Sequence, residues 1–231
     1  MIPTVIIVGA DKGGVGKTTI TRALLDYLAD RQVAARTFDT EWPSGDLKRF
    51  APDADLIDIA NVQDQMKVFD MPDASPVTVV DLRAGLLSPT LQALDDAKLL
   101  EDVRSKQMRL VLLHVLGPTM ASIAEIAEAA KRVGGGAAHH LLVRNHINQT
   151  QFFDWDKDES QAAWQKMANV TIEVPQLPEI AAETLQKLGG SFAAFSKRRD
   201  QSRVLPGRVQ TWLEAVWREF DRVGLNQLLL G

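Results

Sequence analysis

The chain has 231 residues, of which 24% are charged and 45% hydrophobic, with a formal net charge of −4. That composition excludes extensive disorder, and the length suits one domain over residues 1–231 that buries a core of its own. The absence of cysteine excludes disulfides, thiolate zinc sites and iron–sulfur ligation together, and the negative net charge removes any global attraction to nucleic acid.

Residues 2–8 form a continuous apolar run rich in β-branched side chains, the pattern of a short central strand covered on both faces. Gly9-Ala10-Asp11-Lys12-Gly13-Gly14-Val15-Gly16-Lys17-Thr18-Thr19 follows it directly. A loop that holds a triphosphate turns its backbone N–H groups inward, a geometry open mainly to glycine, and Gly13, Gly14 and Gly16 fall where side chains would obstruct it. Lys17 is then placed to neutralise the β- and γ-phosphates, and the Thr18 hydroxyl to join a Mg²⁺ shell. A helix is expected over 17–31, with Ile20, Ala23, Leu24, Tyr27 and Leu28 on one buried stripe and its N-terminal dipole at the site.

The ordinary phosphate-loop pattern needs a glycine five residues before Gly16, where this chain has Asp11. What matches is Lys12-Gly13-Gly14-Val15-Gly16-Lys17-Thr18-Thr19, with a second lysine at its start. This resembles the ParA/MinD family of deviant Walker A ATPases, above all the ParA-like plasmid and chromosome partition ATPases, over nearly the whole chain. The resemblance implies an α/β P-loop NTPase fold, with a mostly parallel sheet flanked by helices on both faces. It also implies ATP/ADP and Mg²⁺ as cofactors, held by the loop from Lys12 to Thr19, and an ATP-dependent homodimer. Lys12 would reach the phosphates of the nucleotide on the facing subunit. Relatives that hold an iron–sulfur cluster need cysteines at that interface, and the chain has none.

A second strand is expected over 33–38, ending at Asp39, and residues 39–46 form a loop because Pro43 and Gly45 interrupt any regular structure. The loop lies at the edge of the sheet where ligands bind in open α/β folds. The family places a switch here with two aspartates one residue apart, the first near Mg²⁺ and the second orienting the attacking water. This chain has Asp39 and then Glu41. Glutamate reaches one methylene further, so either water activation survives with altered geometry or hydrolysis is unusually slow; the plain alternative is a solvated acidic loop.

Residues 55–60 are a weak strand candidate, 61–69 a short helix with Asn61 as cap, and Pro72 and Pro76 bracket a turn. Residues 77–81 are a buried strand ending in Asp81, the arrangement in which a carboxylate holds a Mg²⁺-bound water. The family follows that aspartate with a proline and then a glycine whose N–H senses the γ-phosphate. Gly85 fits the glycine, whereas Arg83 occupies the proline-containing stretch. A helix is expected over 88–106 with Ser88-Pro89 as cap and first-turn proline, then a strand over 110–116. Gly117-Pro118 opens a helix with Ile123, Ile126, Ala127, Ala130 and Val133 on one face, closed by residues 134–136. Residues 139–145 form the next strand, and Asn145 resembles the family's adenine-reading asparagine. A guanine reader needs Asn-Lys-x-Asp, which Asn145-His146-Ile147-Asn148 does not supply, so ATP is favoured over GTP. His139 and His140, adjacent on a strand, point to opposite faces, and with His146 they make no metal site.

Residues 170–174 are a last short strand, and Pro175 follows in the loop that packs the base in relatives. Helices are expected over 178–188 and 191–197, and a closing helix carries the wide stripe Val209, Trp212, Leu213, Val216, Trp217, Phe220 and Val223. Within 191–208, Lys197, Arg198, Arg199, Arg203 and Arg208 face a single acid, Asp200. A basic patch on an acidic body is what sequence-independent DNA contact looks like, and the ParA-like relatives bind DNA in this way when dimerised by ATP; the alternative is a solvated helix end. The MinD branch ends in a basic amphipathic membrane helix, whereas residues 225–231 are few and without a cation, so no membrane anchor is expected. No apolar run approaches the roughly 20 residues that span a bilayer. Met1-Ile2-Pro3-Thr4 leads into the first strand without the features of a leader, so the expected location is the cytoplasm, on the nucleoid if DNA is bound. The expected function is a switch: ATP closes a dimer, the dimer binds DNA non-specifically to position DNA or other cargo, and slow hydrolysis resets it. A centromere-binding type of partner would stimulate that hydrolysis. The second reading is an ATP-dependent recruitment factor, serving conjugation or MinD-like positioning, without DNA as its track.

Overall fold

Strand β1 (Thr4–Gly9) is buried along its whole length. Its alternation decides the layers, since Val5 and Ile7 face one cluster of side chains while Ile6 and Val8 face the other. The structure is a computed structural model that describes residues 2–10, 12–70, 77–116, 120–134, 136–147, 170–200 and 202–230. Six more strands complete a parallel sheet: β2 (Ala35–Asp39), β3 (Asp55–Leu56), β4 (Val77–Asp81), β5 (Arg109–Val115), β6 (His139–Asn145) and β7 (Val170–Val174). The order is β3-β2-β4-β1-β5-β6-β7, and each neighbouring pair is parallel. The sequence leads one to expect a mostly parallel sheet; the described sheet is parallel throughout.

The described helices are α1 (Lys17–Asp30), α2 (Val62–Phe69), α3 (Leu87–Asp96), α4 (Leu99–Arg104), α5 (Met120–Val133), α6 (Glu179–Leu188), α7 (Phe192–Ser196), α8 (Val204–Arg222) and α9 (Leu225–Leu230). One face of the sheet is covered by α1 and α6 to α9, through Leu24, Leu185, Phe192, Val216, Phe220 and Leu229. The other face is covered by α2 to α5, through Val68, Leu91, Leu94, Val103 and Val133. The aromatic stripe of α8 is core, as its spacing implies: Phe220 packs edge-on against Tyr27 with ring centroids 5.4 Å apart, and the Tyr27 hydroxyl donates to Asp221 at 2.5 Å. The final Leu-rich segment is a short helix whose Leu225 and Leu229 are fully buried.

Three sequence expectations change. The single helix expected over 88–106 is two, because Lys98 adopts a left-handed φ of +61° between them. In an unbroken helix the positions in phase with Leu91 and Leu94 would be Lys98 and Glu101 at 100° per residue; the break turns Leu100 and Val103 to the core instead. Ser88 is not the cap. Leu86 holds that place without a side-chain hydrogen bond, and Pro89 sits inside the first turn, where no N–H is needed. The weak strand candidate shrinks to Asp55–Leu56, with Ile57 and Ile59 entering the core. Asn61 caps α2 as expected, accepting from the Gln63 N–H at 2.8 Å. Pro72, Pro76, Gly117-Pro118, the Ile123 side chain and Gly135 lie outside the described residues.

His114 on β5 and His140 on β6 stack with ring nitrogens 3.0 Å apart, while neighbouring His139 faces outward. Among the described residues no three His, Cys, Asp or Glu side chains are grouped as a metal cage. Burial pushes both members of the pair well below the ordinary histidine value of 6.5, with His140 adding to the fall at His114 and His139 to the fall at His140. The unfolded chain therefore takes up protons before the folded one does, so stability is intact above about 6.5 and is lost as pH falls through the window below it. The urea midpoint should drop between pH 7 and pH 5, and by less in His140→Leu than in the parent. Equal drops would remove the pair from the acid response.

Candidate functional site

The sheet order brings three strand ends together. Val8 pairs with Asp81, and Asp39 with Asp81, so the loop after β1 and the carboxylates ending β2 and β4 meet at one edge. α1 starts there at Gly16, whose φ of +89° is left-handed and which carries no side-chain cap, leaving the first N–H groups of the helix to an anion. A Cβ on Gly16 would lie 2.3 Å from Asn145 Nδ2 and 2.6 Å from Ile147 Cδ1, so both conformation and packing demand glycine. Asn145 in turn donates through Nδ2 to the Val15 carbonyl at 3.0 Å, pinning the loop from behind.

Asp81 is the hub. Its Oδ2 accepts from the Thr18 hydroxyl at 2.9 Å and its Oδ1 from the Thr21 hydroxyl at 3.0 Å, while its backbone carbonyl accepts from Thr40 N–H at 3.1 Å and Thr40 Oγ1 at 3.2 Å. Burial pushes its carboxyl up to about 7, against the two threonine hydrogen bonds and Lys17, with Asp39 adding to the rise. A buried carboxylate with too little positive charge around it is suited to a cation. Thr21 was not singled out from the sequence, yet it lies one helical turn beyond Thr18, the spacing that puts both hydroxyls on one face.

Asp39 is 1% exposed, and it works on its own loop. Its Oδ1 accepts from Glu41 N–H at 2.9 Å, and Oδ2 from Leu47 N–H at 2.8 Å and Lys48 N–H at 3.2 Å. Those bonds shape residues 39–48 and leave Oδ1 one lone pair to offer outward.

A cavity of about 450 Å³ opens over these groups, lined by Gly13, Gly14, Lys17, Thr18, Glu41 and Arg83 among others, with Asp39 and Asp81 on its floor. Thr19 and Ile147 connect it to a second cavity of about 200 Å³ that holds Asn145 and Pro175. Trp212 fixes Pro175 by donating from Nε1 to its carbonyl at 2.7 Å. The residues expected to hold phosphates and those expected to hold the base thus line adjoining spaces. Two expected groups sit differently: the Lys12 carbonyl accepts from Lys17 Nζ at 3.3 Å with the Lys12 side chain turned to solvent, and Gly85 N–H is directed to the Ala10 carbonyl at 3.3 Å.

A model of the CobQ/CobB/MinD/ParA nucleotide binding domain family matches residues 6–215. The protein MobD of Acidithiobacillus ferrooxidans is 20% identical over 190 residues, which cover 80% of this chain and 83% of MobD. Among solved structures, a ParA family ATPase from Chlorobium tepidum superposes with a TM-score of 0.53 at 14% identity, over 92% of this chain and 99% of that one. The cell division ATPase MinD of Pyrococcus furiosus gives 0.50 at 17%, over 95% and 99%. A chain of the MinC:MinD cell division protein complex of Aquifex aeolicus gives 0.52 at 14%, over 91% and 96%. At these identities the structural likeness is one of fold.

Thr21→Val keeps the shape of the side chain but leaves the buried Asp81 one donor short, and a hydrogen bond of this kind contributes about 1–3 kcal/mol. A loss of that size in urea unfolding is expected for Thr21→Val, with Thr21→Ser close to the parent. Parent-like stability in the valine variant would mean that the bond carries nothing.

Proposed function

Because the chain belongs to the CobQ/CobB/MinD/ParA nucleotide-binding domain family, we propose that it is an ATPase that binds ATP with Mg²⁺ in the cavity over Asp81. In this reading ATP closes a homodimer, and the closed form binds duplex DNA without sequence preference. The observation that carries the reading is the convergence of Lys17, Thr18 and Asp81 beneath a loop whose turn only Gly16 can make. Thr18 and Asp81 are hard oxygen donors of the sort Mg²⁺ takes, and the raised Asp81 carboxyl fits a place for a cation. Thr18 and Asp81 would hold the ion, with Asp39 offering its remaining lone pair. An ion held there would supply positive charge to offset that of the phosphates. Lys17 neutralises the β- and γ-phosphates, the free N–H groups at the start of α1 cradle them, and Glu41, on the cavity wall, orients the attacking water. Asn145 and Pro175 hold the base in the adjoining cavity, the asparagine keeping its carbonyl and its second N–H for adenine. Slow turnover, raised by a partner protein of the centromere-binding type, resets the switch.

The outward direction of the Lys12 side chain supports its acting across the dimer. Lys12→Ala is expected to keep ADP affinity in calorimetry yet lose ATP-dependent dimerisation in light scattering, whereas Lys17→Ala loses nucleotide binding itself. A Lys12→Ala protein that dimerises like the parent would break the reading at that residue.

The basic stretch is narrower than its sequence. Arg198 is held by Asp200 through both ends of its guanidinium, at 3.1 and 2.7 Å, and Arg199 donates to the Ser196 and Arg198 carbonyls. Lys197, Arg203 and Arg208 are the exposed cations left for phosphate. Three contacts per protomer are weak singly, and a closed dimer doubles them on one rigid body. The neutralised Arg198 is also the observation that favours a second reading, ATP-driven recruitment of a protein partner without DNA. The two separate on salt dependence, because log affinity falls with log salt at a slope of about −0.9 per phosphate contact. Parent protein with ATP should retard duplex DNA of any sequence, with a shallower slope when Lys197, Arg203 and Arg208 are changed to glutamate. No retardation at low salt would leave the recruitment reading.

A further inference from the structure

The cavity over Asp81 is acidic for a place that is to receive a triphosphate. Its described lining includes four carboxylates, Asp39, Glu41, Asp46 and Asp81, against two cations, Lys17 and Arg83. Two of the acids are attenuated: three backbone N–H groups donate to Asp39, and burial favours the neutral form of Asp81. The Glu41 and Asp46 side chains have no such compensation among the described residues. Lys17 belongs to the phosphate loop and stays close to it, donating to the Lys12 carbonyl. Arg83 is therefore the cation that reaches the cavity from the opposing loop, after β4.

Its backbone is fixed and its head is free. Arg83 N–H donates to Thr40 Oγ1 at 2.8 Å, and that hydroxyl donates to the Asp81 carbonyl at 3.2 Å. On either side, Leu82 N–H donates to the Val8 carbonyl at 2.9 Å and Leu86 N–H to the Arg83 carbonyl at 3.2 Å. The Cα is thus held two residues beyond Asp81 by bonds to three strands' ends, while the guanidinium, on an exposed side chain lining the cavity, has no hydrogen-bond or ion-pair partner among the described residues. A cation anchored at its root and unengaged at its tip is arranged for a ligand that arrives. The planar guanidinium fork fits two phosphate oxygens at once.

We propose that Arg83 contacts the terminal phosphate of a bound nucleoside triphosphate and gives the site its preference for triphosphate over diphosphate. The proposal rests on the nucleotide reading above and adds a residue to it. Lys17 serves phosphates common to both nucleotides, whereas Arg83, reaching in from the loop after β4, serves the one that only the triphosphate has. Loss of Arg83 should therefore show in the ratio of the two affinities and not in folding, since its side chain is exposed and bonds to nothing in the described structure.

The test is calorimetric titration of parent, Arg83→Gln and Arg83→Lys with a non-hydrolysable ATP analogue and with ADP, each with Mg²⁺, beside a urea midpoint for each variant. Arg83→Gln should bind the triphosphate about tenfold or more weakly, the scale of one charge-assisted contact, with ADP affinity and urea midpoint close to the parent, and Arg83→Lys should recover part of the loss. A parent that binds both nucleotides with an affinity ratio that Arg83→Gln leaves unchanged overturns the Arg83 assignment alone. A parent that binds neither overturns the nucleotide reading and this proposal with it.

Discussion

A carboxylate with almost no access to water has to be satisfied by the protein, and in this chain that carboxylate is Asp81, 4% exposed at the end of a central strand. Taking such a group from water without partners would cost several kcal/mol. The protein answers with two hydroxyls one turn apart on α1 and with a carboxyl pushed up to about 7 by its burial. Those bonds do more than settle the charge. They fix the rotation of α1 against β4, and with it the direction of the helix start that faces the cavity. The Asp81 carbonyl, through Thr40, fixes the loops after β2 and β4 as well.

From this hub the connections run outward to the far side of the helical layer. One residue beyond Thr21, the Arg22 guanidinium lies 3.7 Å above the Phe50 ring and 4.1 Å above the Phe192 ring, and it donates to the Gly190 carbonyl at 3.0 Å. Burial lowers this arginine to about 10, and the aromatic faces take up part of what water would supply. Phe50 closes the segment that Asp39 organises, and Phe192 begins the helix that leads into Lys197. The loop that faces the cavity and the basic stretch therefore rest on one side chain, which gives the two ends of the proposed switch a common mechanical support.

How much of this was legible depended on how local the cause was. The phosphate loop could be read because glycine is the answer to a backbone requirement at the residue itself, and Gly16 shows that requirement in its +89° φ and in the crowding by Asn145. The strands could be read because two-sided burial leaves unbroken apolar runs, and their parallel order then brings Asp39, Asp81 and the loop to one edge without further instruction. Thr21 was not visible, since its partner lies 60 residues away and the sequence around it is that of any amphipathic helix. The break at Lys98 was missed because helix propensity runs through it; the cause is the phase at which Leu100 and Val103 must meet the core. The basic stretch looked stronger in sequence than in structure because charge counting does not see that Asp200 folds back onto Arg198.

The central claim is that nucleotide enters the cavity organised by Asp81 and is held jointly by the loop of α1 and the loops after β2 and β4. Hydrogen exchange of the backbone, with and without saturating ATP and Mg²⁺, tests it most directly because every contributing segment reports separately. The account predicts slower exchange concentrated in residues 12–21, 39–48 and 81–86, with little change at the opposite edge of the sheet around 105–109. Unchanged exchange in those three segments with ATP bound, or protection confined to other parts of the chain, would contradict it.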